Sequence, residues 1–231
     1  MPTLLDNKYI QIKRSTRARR LALRVDFKDR VIYLVVPKRT ALKKAYAFAH
    51  ANSDWIDEQL ENMPDAIPYE DGAVLPLFGQ DTQLDITYDS GLKRTTIALI
   101  NNQLVIRTNK EDPSGRIERF LRQMAKDKFA ALSHEKAGII GKKVAHVTVR
   151  DTKTRWGSCD ENGRLSYCWR LIFAPYDAMD YIVAHEVAHL EHLDHSTAFW
   201  NVCRDLSDNY VDGYYWIHNN GCELMRYGKA A

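Results

Sequence analysis

Four of the eight histidines fall within eleven residues, at His185, His189, His192 and His195 of the stretch HEVAHLEHLDHSTAFW. On a helix turning about 100° per residue, His185 and His189 lie about 40° apart on one face. They are one turn apart, about 6 Å along the axis, so both imidazoles can reach one ion with Zn–N bonds of about 2.0–2.1 Å. Glu186, about 100° round from His185, points beside such an ion rather than at it. A general base needs that position, close enough to take a proton from water without filling the open coordination site.

This spacing is the H-E-x-x-H signature of zinc hydrolases. A catalytic zinc needs a third protein ligand, and two nearby histidines compete for the role. His192 stays in phase but sits about 10 Å above His185 along a continuous helix. His195 ligates only if the helix ends near His192–Asp194 and the chain folds back. Asp194 or Ser196 can then cap the next helix. The spacing His185, His189, His195 equals that of the H-E-x-x-H-x-x-G-x-x-H pattern, with His192 in place of its glycine. The spacing favours His195, with His192 and the more distant His218 as alternatives. For the oxyanion that develops during hydrolysis, Tyr210, Tyr214, Tyr215 and His218 are the candidate donors, and Tyr210 is the first choice.

The elements that must position these groups read as follows. Residues 21–27 alternate as a half-buried strand, and VIYLVVP at 31–37 forms a second one, ended by Pro37. A helix is expected from an N-cap at Thr40 to about Asn62, with Trp55, Ile56 and Leu60 in its core face. Short strands and turns fill 67–108, with Asn101-Asn102 as one turn. Asp112-Pro113-Ser114 opens a helix to about Ala137, lined by Ile117, Phe120, Leu121, Met124, Ala125, Phe129 and Leu132. A strand AHVTVR follows, and Asp160–Gly163 turns the chain between two extended segments. The motif helix begins after Pro175, with Asp177 and Asp180 near its positive end. Two aromatic-rich helices are expected near 197–206 and 210–219. The fold class is α+β: a strand-rich region over 1–110, then a helix-rich domain with a small sheet over 111–231.

Composition adds limits. The chain has 231 residues, 45% of them hydrophobic and 27% charged, which suits soluble folded domains. No apolar run reaches the roughly 18–20 residues of a membrane span, and the N-terminus lacks a signal-peptide pattern, so a cytoplasmic location is expected. Cys159, Cys168, Cys203 and Cys222 have no CxxC spacing and read as reduced thiols. The net charge of +3 is uneven: residues 8–44 hold thirteen Lys/Arg against Asp26 and Asp29, a formal +11, leaving −8 elsewhere. That basic stretch can meet a nucleotide or nucleic acid, or can be a solvated sheet and helix face.

The blocks TRWGSC, GRLSYCWRLIFAP and DYIVAHEVAHLEHLDHSTAFW, with RSTRARRLALRV near the start, resemble the YgjP-like metal-dependent hydrolases. These are small intracellular proteins of the zincin type, related to SprT-like peptidases. The resemblance runs from about Lys13 to Trp216. It implies a minimal zincin-like core, zinc held by His185, His189 and His195, and Glu186 as the catalytic acid and base. Cys168 departs from the pattern, standing where Asn is expected. In zincin-like folds an edge strand pairs with extended substrate, and 155–159 or 164–170 is expected to supply it.

The leading reading is therefore a zinc metallopeptidase acting on a peptide or protein. A metal-dependent nucleotide phosphoanhydride hydrolase is the second reading, although no phosphate-cradling glycine run supports it. A nucleic-acid-binding protein with a structural zinc is the third.

Overall fold

A computed structural model describes residues 9–228. The chain divides into two compact units, residues 1–65 and 66–231.

The first unit holds β1 (Ile10–Ser15), β2 (Ala22–Asp26), β3 (Val31–Pro37), α1 (Leu42–His50) and α2 (Ser53–Glu61). β3 is central, parallel to β1 and antiparallel to β2. Ile10, Ile32, Leu34 and Val36 pack with Ala45, Ala49 and Ile56 of the helices in one apolar cluster. The single helix expected over 40–62 is two helices. Ala51 and Asn52 break it, and the Asn52 amide donates to the Phe48 carbonyl, a local bond that competes with the helix. The first N-cap is Ala41 rather than Thr40, and Trp55 is exposed while Ile56 is fully buried. Within the basic stretch, Arg14 donates to the carbonyls of Pro37, Lys38 and Thr40, and Arg30 to that of Pro64. Lys13 lies over the Tyr33 ring, and Lys8 falls outside the described residues.

The second unit begins with β4 (Val74–Leu77), β5 (Gln80–Tyr88), β6 (Thr96–Ile100) and β7 (Gln103–Thr108), in the order β4-β5-β7-β6. Asn101 and Asn102 take φ of 48° and 59°, the left-handed pair of a tight hairpin turn between β6 and β7. α3 (Ser114–Ile139) buries Ile117, Leu121, Ala125, Phe129 and Leu132, one per turn. Leu75, Leu84, Leu104 and Ile106 of the sheet join them in the same core, so the strands before 110 pack with the helices after it.

β8 (His146–Arg150), β9 (Gly157–Cys159) and β10 (Arg164–Cys168) form a second sheet, with β10 between a parallel β8 and an antiparallel β9. A 3-10 turn (Trp169–Phe173) leads to α4 (Tyr176–Ala188), then α5 (Thr197–Asp205) and α6 (Tyr210–Asn220). α4 is buried on nearly every side, as its mostly apolar sequence requires. Asp180, one of its two buried acids, pairs with Lys136 of α3 at 2.6 Å, both about 10% exposed. Lys136 also donates to the Leu206 carbonyl after α5, so one ammonium ties three segments. α6 lies close on α4 because position 213 is glycine: a Cβ there would sit 2.3 Å from the Asp177 carbonyl oxygen. No helix among the described residues is long and apolar enough to cross a membrane.

Candidate metal centre

His185 lies in the last turn of α4, and His189 is the residue that caps it. The helix therefore stops earlier than the 192–194 region the sequence suggested. Leu190, Glu191 and His192 donate back to the carbonyls of Val187 and Ala188, closing the turn. The Asp194 carboxylate accepts from the Ser196 amide, and the Ser196 hydroxyl accepts from the Phe199 amide, which starts α5. This reversal swings His195 back over the end of α4.

The ligand atoms of His185, His189 and His195 all lie within 4.8 Å of one another. Nε2 of His185 and Nε2 of His195 are 3.2 Å apart. Two nitrogens bound tetrahedrally to one zinc at about 2.0–2.1 Å would be about 3.3–3.4 Å apart, so the donor set fits such an ion. The His189 Nδ1 faces the His192 carbonyl at 3.0 Å, which places its proton on Nδ1 and leaves Nε2 as the free donor. His192 thus contributes a main-chain oxygen to the arrangement, and its ring is no part of the cluster.

Phe199, fully buried, touches all three imidazoles, with centroids 5.0, 4.5 and 4.8 Å from those of His185, His189 and His195. Trp200 contacts His185 and His195, and Tyr181 contacts His185 one turn earlier on α4. Burial and the neighbouring imidazoles push His185 down to about 4, so its ring is neutral and ready to ligate at pH 7. Burial likewise lowers His189.

Glu186 is 6% exposed, and burial pushes its carboxyl up to about 8, against a smaller opposing effect from Arg155. Its side chain lies against Gly157 at the start of β9. A Cβ on Gly157 would come 2.4 Å from Oε1, 2.5 Å from Cγ and 2.7 Å from Cδ of Glu186. This explains much of the Arg155–Cys159 block, whose spacing alone suggests no chemistry. The glycine admits the carboxyl, while Trp156 sits against Gly221 and its carbonyl accepts from the Cys168 amide. Neither Gly157 nor Phe199 stands out in the sequence alone. The one signal for Phe199 was its place four residues after His195, in the first turn of a capped helix.

Of the two segments expected to offer an edge strand, 164–168 is paired on both sides as β10. Of those two segments only β9 lies at an edge, beside Glu186, with β8 at the other edge. Tyr210 makes ring contacts with Tyr181, Trp200 and Tyr214, not with any of the three histidines. His218 stacks on Tyr214 and takes no part in the cluster. The four cysteines are free. Cys168, standing in place of the expected Asn, donates to the Thr152 carbonyl, and Cys159 is pushed up to about 11 by burial and nearby acids.

Three convergent imidazoles beside a buried carboxyl are the equipment of a metal-dependent hydrolase. The sequence matches the family described as YgjP-like, metallopeptidase domain, over residues 19–220. The chain belongs to that family. Searches of curated proteins and of solved structures each gave no match.

Proposed function

We propose that this chain is a zinc peptidase, with His185, His189 and His195 holding the ion and Glu186 moving the proton. The observation that carries the reading is the convergence of the three imidazoles beside the carboxyl lodged against Gly157. A zinc held there would acidify water and polarise the carbonyl to be attacked. Glu186, anchored on a buried helix, takes the proton from the attacking water and delivers it to the leaving amine. The free edge of β9 receives the substrate backbone as an added strand. Phe199 and Trp200 keep the imidazoles packed and shielded on their inner side. Tyr210 would serve the oxyanion from one ring further out, since it touches Trp200 rather than the histidines.

Family membership favours a peptide or protein substrate over a nucleotide. Nothing in the comparisons favours nucleic acid, and part of the basic stretch is engaged with main-chain carbonyls of its own unit. The test is Glu186→Gln. It should retain stoichiometric zinc and lose peptide hydrolysis, and a fully active variant would refute the mechanism.

A further inference from the structure

Just before the edge strand stands one charged residue that the chemistry above leaves unused. Gly157 lies over the Glu186 side chain, and a strand sends alternate residues to the same face. Gly157 and Cys159 therefore share the face toward Glu186, while Arg155 precedes the strand, across a bend at Trp156, whose ring lies against Gly221. Arg155 is still near enough to oppose the burial that raises Glu186.

Arg155 is exposed. Its guanidinium makes no hydrogen bond or ion pair with any described residue, and only its main-chain carbonyl is engaged, by the Thr152 hydroxyl. It stands two residues before Gly157, so their Cα atoms are at most about 7 Å apart. A peptide paired on β9 rises about 3.3 Å per residue, so the part of it that Arg155 can reach lies within about two residues of the bond held at Glu186. The far end of β9 shows no such bias. There a cavity of about 350 Å³ beside His189 is lined by Lys142 and Lys143 together with Asp160, Glu161 and Glu191, and the opposed charges offset one another.

We propose that Arg155 binds a carboxylate of the substrate, making the site selective for peptides with an acidic group within two residues of the cleaved bond. The forked guanidinium matches a carboxylate in shape as well as charge. The proposal rests on the peptidase reading, and it deepens that reading by naming a substrate class. The carboxylate has two sources, an Asp or Glu side chain or a free C-terminus.

The test uses zinc-loaded full-length protein and quenched-fluorescence octapeptides. These differ only in Glu against Gln near the cleaved bond, and in a free against an amidated C-terminus. Binding is read first, by fluorescence anisotropy on the Glu186→Gln protein, where turnover plays no part. The carboxylate peptide should bind roughly tenfold or more tightly, the scale of one charge-assisted hydrogen bond. Adding Arg155→Gln should bring the ratio of the two Kd values close to one, with the thermal midpoint unchanged. Which pair shows the preference identifies the source of the carboxylate. Equal Kd values before the Arg155 change, no binding of either peptide, or a preference that survives Arg155→Gln overturns the proposal. So does an equal fall in kcat for both peptides with Kd unchanged, which would make Arg155 an oxyanion donor. Failure of the peptidase reading shows separately, as absent hydrolysis by the wild-type protein while the Kd ratio still reports on Arg155.

Discussion

Replacing Gly157 by alanine would set a methyl carbon 2.4 Å from Oε1 of Glu186 and 2.5 Å from its Cγ. Ordinary van der Waals contact begins about 1 Å further out. The backbone of α4 cannot retreat, because the helix is buried on nearly every side and tied through Asp180 to Lys136. The cheapest relief is rotation of the Glu186 side chain, which moves its carboxyl by about 1 Å. Stability should fall by about 1 kcal/mol, the lower end of the overpacking range, or roughly 2–4 °C in Tm. Catalysis should fall much further, since a misplacement of about 1 Å can cost about 100-fold in rate. The three histidines are untouched, so zinc content should match that of the wild type. The assay compares Tm, zinc stoichiometry and kcat/KM for wild type, Gly157→Ala and a Gly115→Ala control, at a position where an added Cβ meets nothing within 4 Å. Wild-type kcat/KM and an unchanged Tm in Gly157→Ala would refute the contact and the role assigned to it.

His195→Ala should lose zinc in competition with a chelator. His192→Ala should keep it, because only its main-chain carbonyl meets His189; equal loss in both would shift the assignment of the third ligand. Lys136→Met leaves Asp180 buried without its cation and should cost about 3–5 kcal/mol, read from the urea midpoint. A change below about 1 kcal/mol would count against that pair as a tie. Phe199→Ala removes the ring under all three imidazoles and should destabilise by about 3–5 kcal/mol while weakening zinc binding. Normal affinity in that variant would show that the ring does not hold the imidazoles in place. Cys159, pushed up to about 11, should alkylate at pH 8 roughly two orders of magnitude more slowly than a free thiol. Mass spectrometry of the labelled protein would expose a fast reaction at that residue.

Helix periodicity accounts for how readily His185, Glu186 and His189 are read, since their relative directions follow from spacing within one element. His195 needed a chain reversal, for which Asp194 and Ser196 are local signals. The residue at which α4 stops is not legible in the spacing, because main-chain bonds from Leu190 to His192 close the turn early. Gly157 was illegible for a different reason. Its meaning lies in a contact across space between a strand and a helix 29 residues further on, and nothing in RWGSC announces the carboxyl that rests on it. Trp55 and the unbroken helix over 40–62 show the opposite failure, where a periodic pattern outlasted the element that carried it. The strand β1 is hard to read, because IQIKRS buries only Ile10 among its six residues and shows little of the apolar alternation by which a strand is recognised.

The Leu75, Leu84, Leu104 and Ile106 side chains share a core with α3 and α4. The groups with proposed chemical roles, by contrast, all lie between Arg155 and Tyr210. The chemical instructions are thus nearly contiguous, but their support is not. A fragment cut near residue 110 would retain the whole proposed site and lose one wall of the core that holds α4. Evolution can vary the residues that face the cleft within one short stretch of chain. It can change the sheet before residue 110 only in step with the helices packed on it.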